Sequence, residues 1–320
     1  MNSLELFKTQ KFYQIDISIL KDLGYDVLLS NRIFDSLLFW KYDILFSYFY
    51  RYSFFAALLA KCFGKKTYFT GGIDSLDSDY ASAFNYKIQA LFFKLCYWVA
   101  DSCIIVSQSD LKNIFKVSSL KKKLSYSEHV INTKLFIADV PKEKIFTSIV
   151  WMGDEGNVVR KGVDKALQIF AELKKIPEFV DYRFVIIGRK GEGEVLVRSI
   201  IDKYNLKGSV ELKGEVSEED KINLLKQSKY YFQLSLYEGF GLAALEALCA
   251  NNIIIHSGKG GLANPIYKEQ LLFDIDNDFD SELLKLVNKL ACFTPITSYD
   301  NLLEYYDIQR RKDDFEAIIV

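Results

Sequence analysis

Hydrophobic positions along this chain change period repeatedly. Phe12, Ile15, Ile19 and Leu23 recur at helical spacing and predict a helix over 8–23, closed by Gly24. Short apolar runs then alternate with helical stretches. Strands are predicted at 26–30, 43–48, 66–70 and 102–106, with helices at 34–40, 52–63 and 83–100. A polar, lysine-rich, weakly patterned stretch follows from Lys121 to Lys144 and contains Pro141. The alternation then resumes. Strands are expected at 148–152, 184–187, 210–212, 230–234 and 253–256. Helices are expected at 163–175, after Ser217-Glu218-Glu219-Asp220 (a capping-box pattern), at 242–250 and at 298–312. Strands alternating with helices imply an α/β fold with parallel sheets covered on both faces.

Length and composition bound the reading. The 320 residues are 50% hydrophobic, enough for two domains with separate cores. The boundaries read from the sequence are an N-terminal domain over 1–145, a second over 146–297, and a C-terminal helix and tail over 298–320. A net charge of -1 provides no field for nucleic acid. The five cysteines are scattered and suit a reducing cytosol, without disulfide or zinc spacing. The first ten residues lack the apolar core of a signal peptide, and no run of 18 apolar residues occurs.

The stretch Tyr237-Glu238-Gly239-Phe240-Gly241-Leu242-Ala243-Ala244-Leu245-Glu246-Ala247 carries the most chemistry. A buried aromatic strand runs into a glycine turn and then a helix apolar on nearly every face. The free N–H groups and positive dipole end of that helix make an anion site. A carboxylate at Glu246, inside such a helix, needs a donor. Glu238 lies in the loop before it.

This stretch resembles the Glu-x7-Glu signature of retaining glycosyltransferases of family 4, which have the GT-B fold. The resemblance implies two Rossmann-like parallel-sheet domains facing a cleft, with the donor sugar nucleotide on the second and the acceptor on the first. It implies that Glu238 contacts the donor sugar, that Glu246 holds the ribose, and that the amides of Gly239, Phe240, Gly241 and Leu242 face the diphosphate. Arg160-Lys161-Gly162, after the strand end at Gly153, match the family's basic pair only in part. Lys161 fits, whereas Asp154 stands where an Arg is expected, so Arg160 is taken as its substitute. Gly188 and Arg189, in the loop Gly188-Arg189-Lys190-Gly191-Glu192-Gly193, and Val216 near the base-contacting turn complete the expected nucleotide site. Asp74 stands in for the His that the family often carries near the acceptor. The implied reaction moves a sugar, with retention, from a nucleotide-diphosphate sugar, UDP-sugar foremost, to a saccharide or lipid-linked acceptor. The bacterial relatives it resembles build surface polysaccharides at the inner face of the membrane.

Other readings stand beside this one. A catalytically silent sugar-nucleotide-binding subunit would keep the fold and lose the Arg. A dinucleotide oxidoreductase would use the 188–193 glycine loop as its phosphate cradle. Asp77-Ser78-Asp79 and Asp274-Ile275-Asp276 have the Asp-x-Asp form of metal-dependent transferases, but such pairs arise by chance among 42 acidic residues, and no metal is assigned. His129 and His256 are read as packed residues. Ser257 to Asn264, with three glycines, is read as a mobile loop at the sugar end. Phe39, Trp40, Phe46, Tyr48, Phe49, Tyr50, Phe54 and Phe55, beside Lys41, Arg51, Lys61, Lys65 and Lys66, suit either a lipid interface or a domain core. Finally, no glycine precedes Gly24, and only Ser3 to Phe7 precede the first helical pattern. The first domain is therefore expected to lack the central first strand and turn of its fold.

Overall fold

The computed structural model describes residues 3–71, 73, 76–137, 140–293 and 300–319. In chain order the elements are α1 (Ser3–Thr9), α2 (Lys11–Asp22), β1 (Ile44–Tyr48), α3 (Tyr50–Cys62), β2 (Lys66–Thr70), α4 (Ala83–Val99), β3 (Ser102–Ile105), α5 (Gln108–Val117) and β4 (Leu124–Tyr126). There follow β5 (Glu143–Ile149), α6 (Glu155–Arg160), α7 (Val163–Leu173), β6 (Arg183–Ile187), α8 (Glu194–Lys203), β7 (Val210–Gly214), α9 (Glu218–Gln227), β8 (Ser228–Gln233), α10 (Leu242–Cys249), β9 (Ile253–His256), β10 (Leu271–Leu272), α11 (Phe279–Cys292), α12 (Asp300–Tyr305) and α13 (Ile308–Ile319).

Two compact units emerge: residues 1–132 with 304–320, and residues 133–303. The division thus falls before the boundary read from the sequence, and the end of the chain returns to the first unit. Both units are α/β with an all-parallel sheet.

In the first unit the strands pair in sequence order, β1-β2-β3-β4. Successive right-handed crossovers in one direction put α3, α4 and α5 on the same face. Their inner residues Tyr50, Phe54, Phe93, Cys96 and Ile114 meet Phe69, Cys103 and Ile105 there. The opposite face, with Tyr68 and Ile104, is covered by Ile19 of α2 and by Phe315 and Ile319 of α13.

Several local expectations differ from the structure, whereas the expected lack of a strand before the first helical pattern agrees with it. Residues 26–30 form no strand, and Leu28 and Leu29 are exposed, so nothing pairs or buries that run. Helix 8–23 is interrupted at Gln10, whose extended backbone separates α1 from α2. Residues 34–40 form two 3-10 turns, Ile33–Leu37 and Phe39–Lys41. The lysine-rich stretch contains β4, a half-buried edge strand too short to show a pattern. Ser3 to Phe7 are helical, and among the described residues no strand precedes β1, which lies at a sheet edge. The aromatic cluster divides: Tyr50 and Phe54 are core, while Trp40, Tyr52 and Phe55 are exposed. Residues 298 and 299, the start of the expected last helix, lie outside the described residues.

The second sheet has the order β10-β9-β8-β5-β6-β7. From β5 the chain winds outward through β6 to β7, then returns along α9 to place β8 on the other side of β5. Strand order therefore reverses between β5 and β8. Open α/β sheets bind ligands outside the carboxyl ends of their strands at such a switch point. The two strands are fixed to each other by aromatic stacking, with Phe146 4.6 Å from Tyr230 and 5.1 Å from Phe232, ring centre to ring centre. Strand β5 starts earlier than the sequence suggests, leaving 150–154 as a loop rather than a strand end.

Candidate nucleotide-sugar site at the switch point

The two loops that leave β5 and β8 meet at the reversal. Gly162 makes their approach possible. It sits in the left-handed region at φ 69°, and a Cβ there would lie 2.0 Å from the carbonyl oxygen of Leu234. Beside it, the Leu236 N–H donates to the Arg160 carbonyl at 2.8 Å. This contact brings Lys161, from the first loop, against Glu238, from the second. The Lys161 ammonium donates to Glu238 Oε2 at 2.7 Å, with both side chains largely but not wholly covered. Ser235 Oγ and Gln233 Nε2 donate to the same oxygen, each at 3.2 Å. Gln233 in turn accepts the Tyr231 hydroxyl at 3.1 Å. Burial above all, with the nearby negative charges of Glu246 and Glu238, pushes that hydroxyl well above its ordinary pKa, so Tyr231 is a fixed donor.

Helix α10 begins at Gly241, again left-handed at φ 91°. Six of its eight residues are buried, among them Glu246. The Glu246 carboxylate is held by Lys221 of α9, whose ammonium reaches both oxygens at 2.8 and 2.7 Å and Glu218 at 3.0 Å. Lys221 is a residue the sequence reading missed; its only signal was a cation one turn after Glu218 on an acidic helix start. A second lysine ties the two helices together. Lys142 Nζ donates to Leu225 and Lys226 carbonyls at the end of α9, at 3.3 and 2.9 Å, and to the Ala250 carbonyl at the end of α10 at 2.5 Å. A cation at two helix C-termini meets both dipoles. Its burial lowers its pKa to about 8.

The glycine loop at 257–264 is bound to the same segment. A Cβ on Gly260 would lie 2.2 Å from the Glu238 carbonyl oxygen, and one on Gly261 2.5 Å from that of Phe240. Ser257 Oγ donates to the Ser235 carbonyl at 2.6 Å, and Lys259 pairs with Asp276. His256 is packed. Its Nδ1 accepts the Gly258 N–H at 3.2 Å, which leaves Nε2–H for the Tyr267 carbonyl at 3.2 Å. Burial lowers its pKa to about 4. In the first unit, His129 is likewise buried, 5.3 Å from the Phe12 ring, with its pKa lowered by burial to about 3. Neither histidine is positioned as a base at neutral pH.

The remaining candidates fall away from the ion pair. The Arg160 guanidinium donates to Asn157 Oδ1 at 2.7 Å. Asp154, where a cation was expected, caps α6 by accepting the Asn157 N–H at 2.6 Å. The 188–193 loop is no open cradle. Cβ atoms on Gly188, Gly191 and Gly193 would lie 2.0, 2.5 and 2.4 Å from the carbonyl oxygens of Val150, Met152 and Asp154, so these glycines permit packing against the loop that holds Gly153. Arg189 beside them is exposed, and Val216 is half-buried against Ile145 and Ile187. Asp74 lies outside the described residues. Asp77 and Asp274 each accept the N–H two residues on, at 2.9 and 3.1 Å, as turn residues do.

Residues 156–290 match the family model described as Glycosyl transferases group 1. Over 163 residues the chain is 32% identical to the GDP-mannose:cellobiosyl-diphosphopolyprenol alpha-mannosyltransferase of Xanthomonas oryzae, a match covering 44% of this chain and 40% of that protein. It is 27% identical over 129 residues to the GPI3 subunit of the Saccharomyces cerevisiae phosphatidylinositol N-acetylglucosaminyltransferase, covering 40% of this chain and 28% of that one. The chain thus spans well under half of either relative. Among solved structures, Anabaena HepE in complex with UDP matches at a TM-score of 0.69 and 13% identity, over 88% of this chain and 80% of that one. The trehalose-6-phosphate synthase OtsA matches at 0.70 and 14%, over 88% and 74%. These neighbours share the two-domain GT-B fold with this chain, and the residues that match the group 1 glycosyltransferase model lie within its second unit.

Proposed function

We propose that the protein is a retaining glycosyltransferase that moves a sugar from a nucleotide-diphosphate sugar to a saccharide or lipid-linked saccharide. The observation that carries this reading is the Lys161–Glu238 pair at the β5/β8 switch point, 2.7 Å apart beside the N-terminus of α10. As the sugar–phosphate bond breaks, negative charge builds on the diphosphate. Lys161 and the free amides of α10 stand ready for it without reorganising. Glu238 orients the sugar and supports the positive charge developing on it, while Glu246 takes the ribose hydroxyls. The departing phosphate takes the acceptor proton. A lipid-linked acceptor is favoured by the diphosphopolyprenol in the Xanthomonas relative's name. UDP-sugar is the first donor to test, because HepE was solved with UDP.

One observation favours a second reading, a silent sugar-nucleotide-binding subunit. Asp154 caps a helix where a cation was expected, and Arg160 is held by Asn157. A thermal-shift screen with UDP, GDP and ADP tests both readings, since a ligand at 100 times its dissociation constant stabilises by about 2.7 kcal/mol. Incubation with the matching sugar nucleotide follows, with the anomeric configuration read by NMR. A nucleotide that binds without hydrolysis or transfer selects the silent subunit. No shift with any nucleotide overturns both.

A further inference from the structure

Helices α3 and α4 lie side by side on one face of the first sheet, and their outward sides are unusually apolar. On α4, Phe84, Leu91 and Trp98 are all exposed, Trp98 at 73%. They are seven residues apart, about two helical turns, so they form one line along the helix. On α3, Tyr52 and Phe55 are exposed, Tyr52 at 76%. The surface continues onto the Phe39–Lys41 turn, because Phe39 stacks on Phe63 at 4.2 Å and leaves Trp40 exposed beside it. A helix such as α4, apolar nearly all round, belongs either in a core or against an apolar phase. Here only its inner side has a core.

The charge on these two helices decides what covers them. Neither contains an Asp or Glu, whereas Arg51, Lys61, Lys87 and Lys94 are present. Lys61 is paired with Asp101 at 2.8 Å. Lys87 and Lys94 each follow an apolar member of the stripe by three residues and are exposed on its flank. Aromatic side chains with cations beside them, and no anion within either helix, match the headgroup region of an anionic bilayer. No helix among the described residues is long and apolar enough to cross a membrane, so this surface would lie on the leaflet. We propose that the outer face of α3 and α4, centred on Leu91 and Trp98, docks the first unit on an anionic lipid surface. This rests on the first unit's surface alone and stands apart from the transferase reading.

Flotation with vesicles of phosphatidylcholine, with and without phosphatidylglycerol, tests it. The protein should float at low salt only with the anionic vesicles, and Trp98 emission should shift to the blue in a variant whose other tryptophans are Phe. The double variant Leu91→Ser/Trp98→Ser should lose roughly tenfold or more in vesicle affinity. Lys87→Gln/Lys94→Gln should lose about fivefold per charge removed. Both variants change exposed residues, and circular dichroism and nucleotide thermal shifts on the second unit check their folding. Absence of flotation, or variants that float like the parent chain, would overturn the proposal. So would a dimer in solution that Leu91→Ser/Trp98→Ser dissolves, since the face would then belong to a second copy. A chain that floats but binds no nucleotide would fail the transferase reading and leave this one standing.

Discussion

Asp16 and Arg311 are 295 positions apart and form a fully buried ion pair, Nε to Oδ1 at 2.6 Å and Nη2 to Oδ2 at 2.9 Å. The pair joins α2 to α13. The rest of the guanidinium donates to the Ser127 and Glu128 carbonyls at 2.6 and 3.1 Å, and the Tyr48 hydroxyl donates to Asp16 at 2.8 Å. Such a pair is tolerated in a core because nearly every donor and acceptor is met. Removing one partner strands the other. Arg311→Met should destabilise the first unit by about 3–5 kcal/mol. The double variant Asp16→Leu/Arg311→Met should recover most of that loss. Urea unfolding of the three proteins checks this; a double variant less stable than the single would refute it.

On the transferase reading, Glu238→Gln should lower turnover by about 10²–10³ while nucleoside-diphosphate affinity is kept, because the substitution removes charge from the side assigned to the sugar. Lys161→Met should weaken both binding and turnover. Steady-state kinetics with the donor identified by thermal shift provides the readout. Native turnover from Glu238→Gln rules out the assigned role.

Lys221 holds Glu246 by both oxygens, which on the proposed reading makes it a positioning residue for a ribose grip. On the transferase reading, Lys221→Met should cost roughly tenfold in affinity for the nucleoside diphosphate, about one charge-assisted hydrogen bond. The same variant should bind the 2′,3′-dideoxy analogue almost as the parent chain does. Calorimetry with the two ligands decides, and equal losses for both would assign Lys221 to structure alone.

His256 and His129 are buried neutral, with pKa values of about 4 and about 3. In the unfolded chain each titrates near the ordinary 6.5. Below that value the unfolded state binds more protons, so stability present above pH 6.5 is lost as pH falls toward the folded values. The expected loss for His256 by pH 5 is about 2 kcal/mol. His256→Gln should remove that share of the pH dependence. Urea midpoints at neutral and mildly acid pH measure it, and an unchanged slope in His256→Gln would contradict the linkage.

Much of this was legible in the chain. Strands β1, β2, β3, β6, β8 and β9 are apolar runs bounded by turn residues, and burial in parallel sheets makes such runs continuous. Lys161, Glu238 and Glu246 stand out in the sequence because each sits beside a glycine turn or inside an apolar helix, and the structure pairs Lys161 with Glu238. What escaped depends on contacts distant in sequence. Leu28 and Leu29 resemble a strand, yet no neighbour pairs with them. Lys221 gains its meaning from Glu246, 25 positions later. The glycines at 188, 191 and 193 mimic a phosphate loop because backbone packing and ligand cradling demand the same lack of a Cβ.

Among the described residues, the Lys161, Gln233 and Ser235 side chains all donate to the same oxygen of the Glu238 carboxylate, Oε2. The carboxylate is therefore lopsided. One oxygen is anchored by an ammonium, a hydroxyl and an amide, and its partner Oε1 is left to other company. A glutamine can keep the anchor, because its carbonyl oxygen accepts all three donors, but only by turning its NH2 outward. The substitution thus converts an outward acceptor into an outward donor while disturbing almost nothing behind it. Whatever hydroxyl or partial positive charge meets Oε1 in the working protein would find its polarity reversed there, in a scaffold otherwise intact.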